Sequence, residues 1–280
     1  MIVDAHHHLW HLGGGYAWLD APGLAPIRRT FTPADLRAEL HPAAVTHTIL
    51  VEGGRGDAAE AGLLFAHAMT TPEIAGVVAW DDPAAPGFSA YRDLPGAEYL
   101  VGLRAQVQAE DAGYLDRPDV RAGLAAYGRA GLVFDLVIRA DQLPSAARCA
   151  AALPGVRFVL NHLGKPGIAA GAFVTWYTAL AVLARCDNVT AKLSGLVTEA
   201  DWQRWTVDDL RPYAESALEL FGPDRLMWGS DWPVCTLAAP YARVLAAAEE
   251  LVPAAEHERV FAATAAEVYG VQSPRRVVWH

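Results

Sequence analysis

The chain has 280 residues, of which 53% are hydrophobic, and its formal net charge is −10. This apolar content excludes a disordered chain, and the acidic balance argues against non-specific nucleic-acid binding, which needs clustered Lys and Arg. No stretch of about 18 apolar residues lacks charges, and the N-terminus enters a strand directly, so we expect neither a membrane span nor a secretory signal. The three cysteines are far apart and form no CxxC pair, as is typical of a reducing compartment. We therefore expect a cytoplasmic protein.

The first predicted strand covers residues 2–8, with the sequence IVDAHHH. Side-chain alternation predicts that Asp4, His6 and His8 share one face and that His7 takes the other. Two imidazoles at i and i+2 lie roughly 6–7 Å apart, so they can converge on one ion or one substrate atom. A surface cluster or an affinity-tag remnant is the alternative, but the apolar lead-in favours a buried strand with a polar end.

A loop rich in glycine and aromatic residues follows, over residues 11–19. Its rings, together with Trp10, either stack on a flat or sugar-like ligand or plug the mouth of the fold. Thr32 and Pro33 then predict the start of a helix, because Thr caps helices and Pro suits their first turn.

From here on, apolar strand-like runs alternate with helical segments. The strands predicted after the first cover residues 46–51, 74–80, 100–104, 132–138, 156–162, 189–195 and 225–231. The later helices are predicted over 58–69, 119–128, 143–152, 173–185, 213–220, 242–251 and 258–268. This rhythm predicts an α/β fold, a single (β/α)8 barrel of the TIM type over residues 1–280. An open doubly wound sheet is the alternative, although no GxGxxG follows the first strand, as dinucleotide binding would require.

Polar residues lie where the predicted strands end. In a parallel barrel all these ends meet at one mouth, so residues remote in sequence come together there. The residues concerned are His6, His8, Glu52, Arg104, His162, Lys192, Ser194 and Asp231. Any one of them can be structural, as can Asp135 inside strand five, but packing alone does not explain so many at one end.

Several motifs resemble the amidohydrolase superfamily, and more closely its amidohydrolase-2 branch. They are DAHxH at 4–8, VGLR at 101–104, NHLGKP at 161–166, KLSGL at 192–196 and GSDWP at 229–233. Within that branch the chain looks most like the sugar-lactone hydrolases of the L-fuconolactonase type and 2-pyrone-4,6-dicarboxylate lactonase. The resemblance implies a barrel enzyme that opens a small-molecule lactone. Members often carry His and Asn where this chain has Ala105 and Thr264, which leaves the substrate open.

The chemistry of these residues is consistent with hydrolysis. Asp231 can accept a proton from water as it attacks a carbonyl carbon. The charge that develops on the carbonyl oxygen needs a cation or donors, which His6, His8, Arg104 or a metal can supply. The resemblance adds His162 to these catalytic candidates.

Substrate binding is assigned to residues around them. Arg104 and Lys165 can bind a carboxylate or hydroxyl groups, and Glu52 lies at the same end of the predicted barrel. Trp18, Trp202 and Trp205 are expected to form part of the rim that covers the apolar faces of a sugar ring. The alternative for Trp202 is that it packs, with Trp205, against the inner face of a shared helix.

A metal is the open question about cofactors. The usual mononuclear site of the superfamily takes HxH, a strand-five His and the strand-eight Asp, and strand five offers no His near its end. Arg104 stands where a binuclear site needs a bridging ligand, and a guanidinium cannot ligate a cation. We therefore expect no obligatory metal. If one binds, a loosely held divalent ion such as zinc on His6, His8 and Asp231 is the expected form.

Two rival functions belong to other classes. A decarboxylase of the same branch would act on an aromatic or enoic acid and would need a complete set of metal ligands. A non-catalytic barrel could bind carbohydrate through its aromatic loops. The carboxylate of Asp231 beside two imidazoles argues against the second rival, because binding alone does not require it.

Overall fold

Eight parallel strands form a barrel in the computed structural model, which describes residues 1–271. The strands follow one another around the barrel in chain order, each bonded to the next. They are β1 Val3–His7, β2 His47–Val51, β3 Ile74–Trp80, β4 Leu100–Ala105, β5 Val133–Leu136, β6 Arg157–Leu160, β7 Val189–Leu193 and β8 Leu226–Trp228. A parallel bridge between His7 and Trp232 joins β1 to the segment after β8. The predicted (β/α)8 fold class is confirmed.

Helices surround the strands. They are α1 Pro33–Leu40, α2 Ala61–Thr70, α3 Pro118–Arg129, α4 Leu143–Ala152, α5 Phe173–Leu183, α6 Leu196–Glu199, α7 Val207–Phe221, α8 Tyr241–Leu251 and α9 Thr264–Tyr269. Among residues 1–271, no helix combines the length and the apolar character that crossing a bilayer requires.

Two helices differ from their predictions. Helix α7 begins at Val207, six residues before the predicted start, because Thr206 and Asp209 form a capping box that offsets Pro212 inside the helix. The last predicted helix is divided into a π-helical segment, Arg259–Ala263, and the α-helix α9. Residues 202–204 form a turn, so Trp202 and Trp205 do not share the helix that the alternative interpretation gave them.

The barrel interior is filled by small and branched side chains from alternate strand positions. A buried cluster joins Val3 and Ala5 of β1 to residues of five other strands and to α9. Thr264 on α9 donates to the carbonyl of Pro223, just before β8, so this last helix covers the N-terminal end of the barrel. The opposite end stays available for a site, as in other barrels of this class.

A β-bulge in β1 changes which residues face inwards. Asp4 pairs with Thr48 and His7 pairs with Leu50, so β1 uses three residues where β2 uses two. Asp4 therefore lies on the outer face, where Tyr241 of α8 donates to it at 3.0 Å. The prediction that Asp4 shares a face with His6 and His8 is wrong, because simple alternation does not allow for the extra residue.

Candidate active site

Asp231 lies at the centre of the site, with three imidazoles around one oxygen of its carboxylate. Its Oδ1 lies 3.6 Å from Nε2 of His6, 3.5 Å from Nε2 of His8 and 3.8 Å from Nε2 of His162. All four residues are buried. Barrel closure thus brings together four candidates that are up to 225 positions apart in the chain.

The outer-facing Asp4 fixes this arrangement from behind. Its Oδ1 accepts hydrogen bonds from the backbone N–H of His6 and Ser230, and its Oδ2 accepts from the Ser230 hydroxyl at 2.6 Å. The two carboxylate oxygens of Asp4 therefore connect β1 to the segment that carries Asp231. Gly229 allows the close approach, because a Cβ there would lie 2.7 Å from Cβ of His6.

The backbone at the site is strained. His162, Leu163, Lys165 and Asp231 all have φ between 50° and 59°, the left-handed region that residues with a Cβ rarely adopt. Each such residue costs of order 1–3 kcal/mol and persists only when its surroundings hold it in place. Strand β6 and strand β8 end earlier than predicted for this reason. These left-handed backbone conformations direct the side chains of His162 and Asp231 into the mouth of the barrel.

Contacts around the strained segments hold them. The indole of Trp176 donates to the carbonyl of Leu163 at 2.7 Å, and the hydroxyl of Ser194 lies 2.9 Å from Nδ1 of His162. Gly195 passes so close that a Cβ there would lie 2.6 Å from the same ring nitrogen, and its own φ is 65°. A glycine is therefore required at this position.

Burial sets the protonation of the site. It lowers the pKa of His162 to about 3, against the opposing charge of Asp231. Burial, followed by the charge of Lys192, lowers the pKa of His6 well below its ordinary value. Burial alone would raise the pKa of Asp231, but His162, His8 and Lys165 outweigh it and hold that pKa below 3.8. At neutral pH the site therefore holds neutral imidazoles at His6 and His162 and an ionised carboxylate at Asp231.

Arg104 enters the site from β4 and is held by Glu52. Its Nε donates to Oε1 of Glu52 at 2.6 Å and its Nη2 donates to the Glu52 carbonyl at 2.5 Å. Its Nη1 points towards Nε2 of His6, 3.5 Å away. Glu52 is fully buried and also accepts from Gln106 and the backbone of Gly54. Its contacts therefore orient Arg104 from outside the central cavity.

A cavity of about 390 Å³ opens in front of Asp231. Its lining combines charged, amide and aromatic side chains from several loops: His8, Trp18, Gly53, Gly54, Arg104, Gln106, Gln108, Ala109, Val137, His162, Lys165, Asp231 and Val234. Such a mixture of polar groups and apolar faces suits a small polar ligand.

The three predicted tryptophans lie in different places. Trp18 lines the cavity, and its indole N–H donates to the carbonyl of Gly53 at 2.8 Å. Trp202 is 37% exposed, does not line the cavity and donates to the carbonyl of Thr198. Trp205 is buried under Arg243, whose guanidinium lies 4.2 Å from the ring centre. The structure thus brings only Trp18 to the predicted substrate site.

Three residues near the cavity were missed. Gln106 and Gln108 follow Arg104 at steps of two in the sequence, so extending the predicted strand would have found them, although β4 itself ends at Ala105 and Val107–Ala109 form a 3-10 helix. Glu199 lies 3.9 Å from Nζ of Lys165, which itself lines the cavity. No sequence signal marks Glu199, because it lies in a short helix after β7.

The spacing of His6, His8 and Asp231 matches a zinc site. Their closest ligand atoms are 3.2, 3.5 and 3.6 Å apart. A tetrahedral zinc ion with bonds of about 2.0–2.2 Å separates its ligand atoms by roughly 3.3–3.6 Å. These three residues would therefore hold the ion, as the sequence indicated. The other ring nitrogen of His6, Nδ1, lies 3.3 Å from Nζ of Lys192.

Known proteins resemble this chain over nearly its whole length. A family model described as Amidohydrolase matches residues 3–271. L-fucono-1,5-lactonases of Burkholderia multivorans and Burkholderia ambifaria are 35% and 33% identical to this chain over 97% of its length, covering 97% and 96% of their own. A crystal structure of an amidohydrolase from Burkholderia multivorans with bound zinc superimposes with a TM-score of 0.88 at 35% identity, covering 96% of this chain and 99% of that one. The chain belongs to this amidohydrolase family.

Proposed function

We propose that this protein hydrolyses the ring ester of a sugar lactone, an aldono-1,5-lactone such as L-fucono-1,5-lactone. One observation carries the proposal: the buried carboxylate of Asp231 faces a polar cavity beside three imidazoles and an arginine. The names of the two relatives that are 33–35% identical support the substrate class.

In the proposed reaction Asp231 acts as general base. Water attacks the lactone carbonyl carbon while the carboxylate of Asp231 accepts the proton that water loses. The negative charge on the carbonyl oxygen is stabilised by the guanidinium of Arg104 and by imidazole N–H groups near it. The bond between the carbonyl carbon and the ring oxygen then breaks, and the ring oxygen takes the proton from Asp231. The product is the open hydroxy acid.

The cavity lining provides for the rest of the substrate. Trp18 offers an aromatic face to the C–H side of a sugar ring, and Lys165, Gln106 and Gln108 offer hydrogen bonds to its hydroxyl groups. No obligatory metal is part of this proposal. A zinc ion on His6, His8 and Asp231 would supply a Lewis acid to the carbonyl oxygen, and the steps above do not depend on it.

A panel of aldonolactones, assayed with a pH indicator that reports released acid, tests the proposal. Wild type should open at least one 1,5-lactone, and Asp231→Asn should lose at least about 10²–10⁴-fold in kcat, the usual worth of a general base. The matched control is Asp82→Asn, a half-buried carboxylate after β3 that lies outside the cavity lining. Near-normal turnover in Asp231→Asn would remove Asp231 from the mechanism.

The panel also separates the rival class. Release of carbon dioxide from aromatic or enoic acids, with no lactone opened, would favour the decarboxylase. Thermal unfolding of each variant shows that any loss is not a loss of fold.

A further inference from the structure

A second cavity of about 390 Å³ adjoins the one in front of Asp231. Both cavities are lined by Gln106 and Ala109, which follow β4, so these two residues form a shared wall. The loop after β2 also lines both, with Gly54 in the first cavity and Gly56 in the second. The second cavity therefore lies at the same mouth of the barrel, where barrels of this class bind their ligands.

The first cavity alone is large enough for the proposed substrate. Sites for small molecules have volumes of about 300–1,000 Å³, and a single sugar ring is smaller than most ligands of such sites. A lactone of one sugar ring therefore fits in the cavity that contains Asp231. The second cavity is not needed for such a lactone.

Small side chains keep the second cavity open. Ala84, which follows β3, and Ala105, the last residue of β4, each contribute only a methyl group to its lining. Gly56 has a φ of 80°, and a Cβ there would meet no atom within 4 Å, so this residue faces open space. Ala109 on the shared wall is also small, and it is exposed. The wall thus leaves room for a covalent linkage from one cavity to the other.

The lining of the second cavity has the chemistry of a carbohydrate site. Trp80 is half-buried and Tyr114 adds a second ring, and aromatic faces suit the C–H side of a sugar. Among residues 1–271 the indole N–H of Trp80 has no acceptor, so it can donate to a hydroxyl group. Glu110 contributes an exposed carboxylate, which can accept hydrogen bonds from hydroxyl groups.

The side chain of Gln106 is fixed between the two cavities. Its Nε2 donates to Oε1 of Glu52 at 2.7 Å, and its Oε1 accepts from Nε2 of Gln108 at 3.0 Å. A side-chain amide has two N–H donors and an oxygen with two lone pairs, so one donor and one lone pair remain. The shared wall can therefore bind hydroxyl groups close to the linkage.

The charges of the lining favour a neutral ligand. Within the described part of the chain, Arg117 is the only basic side chain in this lining, and it is paired with Asp119. Glu110 adds a negative charge. A phosphate or carboxylate group would meet this repulsion without a free cation to bind it. A neutral ligand rich in hydroxyl groups fits the lining better.

We propose that the second cavity is a subsite for a further neutral sugar unit, so that the substrates include the aldono-1,5-lactones of disaccharides. The lactone ring then lies in front of Asp231, the linkage passes the wall of Gln106 and Ala109, and the second ring contacts Trp80. Only the ring ester is hydrolysed, and the glycosidic bond stays intact. The inference rests on the proposed lactone hydrolysis and adds a binding site to it.

Kinetics on matched lactones tests the subsite. D-glucono-1,5-lactone is compared with cellobiono-, maltobiono- and melibiono-1,5-lactone, which carry a second hexose on the same lactone ring. For at least one disaccharide lactone KM should be at least about fivefold lower than for D-glucono-1,5-lactone, on the scale of one aromatic contact. Similar kcat values are expected, because contacts to the remote ring are alike in the ground and transition states. The absence of any such preference would overturn the proposal.

Two variants locate the effect in the second cavity. Trp80→Ala removes an aromatic wall and Ala84→Trp fills the space, so each should bring the ratio of the two KM values close to one. The matched control is Trp202→Ala, at an exposed indole outside both cavities, which should keep the wild-type ratio. Thermal unfolding shows which variants are folded. A preference that survives in folded Trp80→Ala and Ala84→Trp would place the second ring elsewhere and contradict the proposal.

A binding experiment tests the subsite even if none of the matched lactones is opened. Failure of every lactone, including those of one ring, contradicts the proposed hydrolysis and is thereby distinguished from failure of the subsite. The methyl glycosides of cellobiose, maltose and melibiose are titrated into protein with nitrogen-labelled indoles. The Trp80 signal is identified by its loss in Trp80→Phe. A saturable shift of that signal supports the subsite, and no shift with any of the three glycosides overturns it.

Discussion

Glu60 offers a pH-dependent test of how the structure treats a buried carboxyl beside the site. It is fully buried, and its Oε1 accepts from the backbone N–H of Gly53 at 2.7 Å and from the hydroxyl of Tyr16 at 2.8 Å. Its Oε2 has no hydrogen-bond partner among residues 1–271. Burial, followed by the negative charge of Glu52, raises the pKa of Glu60 from 4.5 to about 7. We predict that Glu60→Gln stabilises the protein at high pH but not at low pH.

The sign follows from proton binding. Between pH 4.5 and about 7 the folded protein keeps the Glu60 proton that the unfolded chain has lost, so folded stability falls as the pH rises through that window. A pKa raised from 4.5 to about 7 corresponds to roughly 3 kcal/mol of stability lost by pH 8. Gln keeps an acceptor for Gly53 and Tyr16 and does not ionise, so the variant should escape this loss.

Urea unfolding at about pH 5 and about pH 8 measures the effect. The stability difference between Glu60→Gln and wild type should grow by roughly 2–3 kcal/mol in favour of the variant between the two pH values. Glu98→Gln, at an exposed carboxylate, serves as the control and should show no comparable change. A difference that is the same at both pH values would refute the reasoning, because it would mean that Glu60 is ionised alike in the folded and unfolded states.

Two further predictions concern binding and metal. Trp18→Ala should raise KM more than it lowers kcat, because it removes part of the cavity wall that contacts the ground state and the transition state alike. Trp202→Ala should leave KM unchanged, because Trp202 lies outside the cavity. Steady-state kinetics on both variants checks this, and a KM increase in Trp202→Ala alone would contradict it. Thorough chelation should lower lactonase activity only modestly. Complete loss of activity that one equivalent of zinc reverses would show that the metal is required.

The sequence alone determined the architecture and most of the site's membership. Strand and helix periodicities depend only on neighbouring residues, so eight alternating units and their order were visible without coordinates. Because parallel strands present all their carboxyl ends at one mouth, His6, His8, Arg104, His162 and Asp231 were also predicted to meet. The motifs around them led to the family that the comparisons established.

Tertiary structure decided the registers and the contacts between distant strands. The bulge in β1 adds one residue and turns Asp4 outwards, and no local pattern announces such an insertion. The contact between Lys192 and His6 joins residues 186 positions apart, and it exists only because the barrel closes. From its place at a strand end, Glu52 was predicted to bind substrate, but in the structure its carboxylate and its carbonyl accept hydrogen bonds from Arg104. A residue at the end of a strand can face either a ligand or a neighbouring side chain, and the sequence does not distinguish the two. Periodicity fixes which face a residue takes within an undisturbed strand, whereas bulges, left-handed turns and the partners across the barrel fix where its polar atoms point.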